Sequence, residues 1–411
     1  MDQTCRRLTL SAVLPILAGM KPLNVLIIPD KFKGTLTGLA AATAMAAGWA
    51  LIRPKDRISI VPMCDGGDGF GPIIGRLTGG RQQQTTTVDA AGRAVFARWW
   101  FSSRTKIAVV EAAQVNGLAL MSAGQYHPFE LDTFGLGKVL MAAAKKGAKH
   151  CLIGVGGSAT NDGGFGLARA CGWKFFRAGG DEISRWTDLK QLHRVDLPPA
   201  TTPVLRMKIT VAVDVQNPLL GARGCSRIYG PQKGLRSEDM MEAEANLGQL
   251  ARVLARATGF DAAKVPGAGA AGGLGFGLLG FFRAEAEPGF KIFAQAAKLR
   301  ERLRGVDLVI TGEGSLDAQT LMGKGVGEIA LLCRTLELPC IGLAGHVPDS
   351  KKAKRLFHDV RALTEVTSLE EAKARPAKWL KQIAAMAATD WSQVTDQPGK
   401  NPTLRRHQRA R

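Results

Sequence analysis

The sequence predicts an α/β protein in which a second domain is inserted into the first. Three observations carry this. Short apolar runs alternate with helical stretches over residues 24–61 and again after 307, the rhythm of a parallel sheet. A hairpin-like pattern interrupts that rhythm from about residue 85. Two of the three glycine-rich segments directly follow apolar runs, so functional groups collect at strand C-termini.

Asn24 to Ile28 is the first strand, followed by the loop Pro29-Asp30-Lys31-Phe32-Lys33-Gly34-Thr35. Thr37 is placed to cap an Ala-rich helix over about Leu39 to Leu51. Ile58 to Val61 forms a strand ending at Asp65-Gly66-Gly67-Asp68-Gly69. A hairpin follows from Thr85 to Trp100, then a strand from Lys106 to Ala112 and a helix from about Gly137 to Lys146. Cys151 to Val155 leads into the first glycine-rich segment, Gly154 to Gly164. Residues 175–205 read as polar and irregular. Lys208 to Val213 is a strand ending at Asp214, and a helix from about Ser237 to Thr258 precedes the second segment, Pro266 to Gly275. Strand patterns resume at Asp307 to Ile310, before Thr311 to Asp317, and at Cys340 to Ala344. The expected organisation is a Rossmann-like parallel-sheet domain over 20–82 plus 287–390, with a mixed α/β domain inserted over 83–286. Residues 1–19 read as an extension of uncertain origin, with Met20 a candidate start, and 391–411 as a basic, disordered tail.

The chain has 411 residues, 45% apolar, enough for real cores. A formal charge of +20 favours anionic partners, yet the basic residues are scattered and no basic segment is interleaved with aromatics, which argues against nucleic acid. Arg6-Arg7 before Leu8 to Ala18 imitates a secretion signal, but lacks a clean cleavage site and is too short to span a bilayer. Seven cysteines make no CxxC pair, which fits reduced thiols and a cytoplasmic setting without membrane attachment.

Glycine lets backbone approach a phosphate, and a neighbouring carboxylate holds Mg²⁺ or accepts a hydroxyl proton, so phosphoryl transfer is the first functional expectation. No Walker A motif is present; Met322-Gly323-Lys324-Gly325 lacks its spacing. Gly267 to Gly272 fits GxGxxG but follows a helix and Pro266, which leaves tight packing and phosphate binding equally open. Asp65, Asp68, Asp162, Asp214, Glu313 and Asp317 all lie beside glycine at strand ends, where turn-forming and catalytic roles compete. Lys31 and Lys33 are suited to an anionic oxygen. The six histidines are isolated, and only His346, at a strand end, merits attention.

Taken together, six segments resemble bacterial glycerate kinases of the glycerate 2-kinase type. They are Pro29 to Thr35, Asp65 to Gly69, Gly156 to Gly164, Asp214 to Leu219, Pro266 to Gly275 and Thr311 to Thr320, in register from about residue 22 to 385. The family commonly has Ser at Lys31, Glu at Asp68 and often Arg at Leu316, and the first two departures bear on substrate preference. The resemblance implies a two-domain glycerate-kinase-like fold and ATP-dependent phosphorylation of D-glycerate with Mg²⁺, 2-phosphoglycerate being favoured over 3-phosphoglycerate. A kinase for a related hydroxy acid is the alternative, and a non-catalytic anion- or nucleic-acid-binding protein a remoter one. On that reading Lys33, with Lys31, binds anionic oxygens, and Asp65 or Asp214 accepts the hydroxyl proton. Asp162, Glu313 and Asp317 are the Mg²⁺ candidates. Ser158, Asn161, Gly267, Gly269, Gly272 and Gly273 are assigned to substrate or phosphate. Substrates held between the domains would be shielded from water by closure. The oligomeric state stays open, a homodimer included.

Overall fold

The computed structural model describes residues 21–122, 124–322 and 325–395. The expectations for residues 1–19 and Met20, for Gly323 and Lys324, and for 396–411 lie outside these residues. Two compact units divide the chain, Cys64–Ala296 and the segments on either side of it.

In the flanking unit, five strands form a sheet in the spatial order Asp359–Ala362, Cys340–Ala344, Leu308–Thr311, Asn24–Ile27 and Arg57–Ile60. All its pairings are parallel. Leu26, Ile27, Val309, Ile310 and Leu343 are at most 1% exposed, as expected of strands covered on both faces. Helix Gly38–Ile52 begins as the sequence indicates, with Thr37 Oγ1 accepting the Ala40 N–H at 3.2 Å. It packs closely on helix Pro376–Thr395, since a Cβ on Gly48 would stand 2.1 Å from the Lys381 carbonyl oxygen. That second helix corrects one expectation. Residues 391–395 are not tail but the end of this helix, and Trp391, 5% exposed, belongs to the core. The polar composition beyond Thr395 hid the last turn.

The inserted unit has a six-stranded mixed sheet, ordered Glu285–Glu287, Lys208–Ala212, His150–Gly154, Ile107–Glu111, Ala94–Ser102 and Arg81–Val88. The last two strands form the anticipated hairpin. The unit extends beyond the expected 83–286 at both ends. Helix Phe70–Leu77 lies against Trp100, whose ring would be 2.2 Å from a Cβ on Gly71 and 2.4 Å from one on Gly75. Only glycine admits that contact, and it ties the helix to the hairpin. Residues 175–205 are also more ordered than expected. Lys174–Phe176 pairs antiparallel with Arg194–Asp196, and Trp186 and Leu189 between them are buried. Strands of three residues are too short to show a period of two. Among the described residues no helix is long and apolar enough to cross a membrane.

Candidate active site

In the five-stranded sheet, strand Asn24–Ile27 lies between Arg57–Ile60 and Leu308–Thr311, so the direction of winding switches there. Ligands of open α/β sheets settle at the strand C-termini beside such a switch. Two of the segments singled out from sequence leave the sheet at this place. The Asp30 amide donates to the Gly312 carbonyl at 2.9 Å, and Thr311 Oγ1 donates to the Ile28 carbonyl at 2.7 Å. The next strand joins them: the amides of Gly345 and His346 donate to the carbonyls of Glu313 and Gly314, each at 3.1 Å. Gly312 makes this convergence possible, because a Cβ there would stand 1.8 Å from the Leu343 carbonyl oxygen. His346 thus contributes backbone to the sheet edge.

A pocket of about 280 Å³ opens here. Asp30, Lys31, Lys33, Glu313, Ser315 and Asp317 line its polar side. Burial pushes the Glu313 carboxyl up to about 7, and the charges of Asp30 and Asp317 push the same way. The hydrogen bond from Thr320 Oγ1, at 2.6 Å to Oε1, and the charge of Lys33 oppose the rise. Glu313 therefore sits between acid and carboxylate at neutral pH. Asp317 Oδ1 accepts the Thr320 N–H at 3.2 Å, so one threonine orders both side chains. A set of hard oxygens of this kind suits Mg²⁺. Among the described residues no group of three or more His, Cys, Asp and Glu side chains is already gathered for a metal ion.

The remaining candidates lie in the inserted unit. Asp65 and Asp214 stand at loop positions and each takes a backbone amide: Gly67 N–H at 3.3 Å to Asp65 Oδ1, and Gly289 N–H at 2.9 Å to Asp214 Oδ1. Asp68 is exposed. Asp162 has a different setting from the one expected of a metal ligand. It is fully buried, and its oxygens accept from the Thr133, Gly164 and Gly166 amides and from Thr133 Oγ1. These four bonds, three of them to Oδ2, make it an anchor for its loop. Burial raises its carboxyl above the ordinary range despite them.

Ser158 and Asn161 are buried beside it. Asn116 Nδ2 donates to Ser158 Oγ at 3.3 Å, and Asn161 Nδ2 donates to Ser226 Oγ at 2.9 Å. Gly267 and Gly269 pack on Val213 and the Pro218 carbonyl, which supports the packing reading of the glycine-rich motif. Ala271, Gly272 and Gly273 take positive φ in succession, and a Cβ on Gly272 would meet the Thr160 carbonyl at 2.0 Å. The same carbonyl accepts from Lys233 Nζ at 2.7 Å. Burial brings the Lys233 ammonium down to about 8. Lys233 escaped the sequence reading although Gly230-Pro231-Gln232-Lys233-Gly234 frames a lysine with turn residues. Its burial, the property that sets it apart, has no signature in that pentapeptide.

Residues 25–392 match the model of the glycerate kinase family. The chain belongs to the glycerate kinase family. A glycerate kinase of Halalkalibacterium halodurans is 35% identical over 379 residues, covering 90% of this chain and 100% of the relative. A glycerate 2-kinase of Escherichia coli K12 is 36% identical over 355 residues, covering 85% of this chain and 93% of the relative. A crystal structure assigned to glycerate kinase 2 of Salmonella typhimurium LT2 superposes with a TM-score of 0.77 at 31% identity, covering 90% of this chain and 98% of that one. The glycerate kinase family is one of enzymes, and both the fold class and the family expected from the six segments agree with these matches.

Proposed function

We propose that this protein transfers the γ-phosphoryl group of ATP to a hydroxyl of D-glycerate, with 2-phosphoglycerate as the favoured product. The observation that carries this reading is the strand-end pocket, lined by Lys31 and Lys33 together with Asp30, Glu313 and Asp317, in a chain of the glycerate kinase family. Phosphoryl transfer depends on positioning and charge neutralisation, and both are available from these groups. Lys33 and Lys31 hold anionic oxygens. Glu313 and Asp317 would hold Mg²⁺, which supplies charge neutralisation on the phosphate chain when bound. Asp65 or Asp214 takes the proton from the attacking hydroxyl as its oxygen bonds to phosphorus and ADP leaves with the β–γ bridging oxygen. Ser158 and Asn161 shape the loop for the acceptor, and the Gly267–Gly273 segment brings backbone close to it.

The test is ADP release from ATP and Mg²⁺ with D-glycerate, set beside glycolate and lactate as acceptors. Turnover with D-glycerate well above the other two is expected. Turnover confined to another hydroxy acid would sink the glycerate assignment.

A further inference from the structure

The pocket at the strand C-termini has a second, unlike wall. The lining also includes Leu363, Leu369, Ala372 and Pro376, together with the exposed Lys373, all supplied by the segment that follows edge strand Asp359–Ala362. Leu363 and Ala372 are buried at 1% and 4% exposure, whereas Leu369 remains 48% exposed at the first position of a short helix. Leu369 lines a concave site of the kind that small ligands occupy, and its exposed half is available to one. None of the four apolar residues takes part in the chemistry assigned above.

D-Glycerate does not fit that wall. Each of its three carbons carries oxygen, so it has no apolar face to bury. A purine ring has two. The pocket volume of about 280 Å³ sits near the lower end of small-molecule sites, roughly 300 Å³ and upward, and so suits the nucleoside portion of a ligand rather than a whole triphosphate. We propose that the wall formed by Leu363, Leu369, Ala372 and Pro376 receives the heterocyclic base of the nucleotide, with the phosphate chain directed to Lys31 and Lys33. The inference rests on the ATP-dependent reading and adds to it: the flanking unit is the nucleotide-recognising one, and selectivity for a nucleoside triphosphate over bare polyphosphate arises at Leu369.

Adenosine and inorganic tripolyphosphate, each tested as a competitor of ATP, separate the two ends of the site. In the unaltered enzyme adenosine competes with ATP. Leu369→Glu weakens adenosine and raises the KM for ATP by about tenfold or more, while inhibition by tripolyphosphate and the KM for D-glycerate stay within about twofold. Leu369→Met keeps the original values, and the unchanged tripolyphosphate inhibition and D-glycerate KM of Leu369→Glu exclude misfolding as the cause. Failure of adenosine to compete in the unaltered enzyme overturns the proposal. A rise in the KM for D-glycerate alone would assign the wall to the acceptor and overturn it too, with kinase activity intact. Absence of ADP release with any acceptor would instead count against the kinase reading, and adenosine binding measured directly by calorimetry then still decides the role of the wall.

Discussion

Asp214 accepts the Gly289 N–H through one oxygen at 2.9 Å, and Asp65 accepts the Gly67 N–H at 3.3 Å in the same manner. An asparagine keeps an acceptor at either place but cannot take a proton. Asp65→Asn and Asp214→Asn therefore separate loop geometry from base catalysis: one of the two lowers kcat by about 10²–10⁴-fold with melting temperature little changed. Near-normal turnover in both variants would remove a carboxylate base from the mechanism. The contrast with Asp162 shows what sequence conveys at this scale. All three residues look alike in sequence, each an aspartate in a loop rich in glycine or turn formers. Only the surroundings distinguish an aspartate on a loop surface from one enclosed by four donors. For the same reason sequence draws attention to Lys31 and Lys33, which line the pocket, and passes over Lys233, whose distinguishing property is its burial.

Strands with an apolar period were readable, and Cys340–Ala344 has the expected bounds. Edge strands Glu285–Glu287 and Asp359–Ala362 escaped notice because three or four residues with a polar half carry almost no pattern. Two packing consequences of the elements are testable. Gly312→Ala places a methyl group 1.8 Å from the Leu343 carbonyl oxygen, so the variant should lose at least about 1–3 kcal/mol in chemical denaturation. Unchanged stability would mean the loops can separate freely. Trp391→Ala removes a core side chain from the last turn of helix Pro376–Thr395, with an expected loss of about 3–5 kcal/mol. A neutral outcome would return that turn to the tail.

At the start of helix Phe134–Lys145, Asp132 Oδ1 accepts the Phe134 N–H at 2.9 Å. Burial, with the charge of Asp162, pushes the Asp132 carboxyl up to about 6 from 3.8. Because the folded value is the higher one, its stabilising contribution is complete below about 3.8 and is lost as pH rises through about 6. Asp132→Asn keeps the acceptor without the charge. Thermal melts should show the original protein losing ground to this variant between pH 4 and 6. A gap that stays constant with pH would contradict the assignment.

For the molecule as a whole, the charge of +20 pointed to anionic ligands and left their identity open. The fold class and family were legible because six segments kept order and spacing across most of the chain. The pocket itself was not, since Leu363, Leu369, Ala372 and Pro376 come from a stretch without glycine or strand-end carboxylates. Pairing of edge strand Asp359–Ala362 with Cys340–Ala344 is what carries that stretch to the pocket that Lys33 and Glu313 line. The central claim is transfer of phosphate from ATP to D-glycerate at O2. The most direct measurement supplies ATP, Mg²⁺ and D-glycerate and follows the product with enolase, which accepts 2-phosphoglycerate. An enolase signal that rises with ADP release is the predicted result. ADP release without that signal would move the phosphate to O3, and no ADP release from a folded sample would contradict the claim outright.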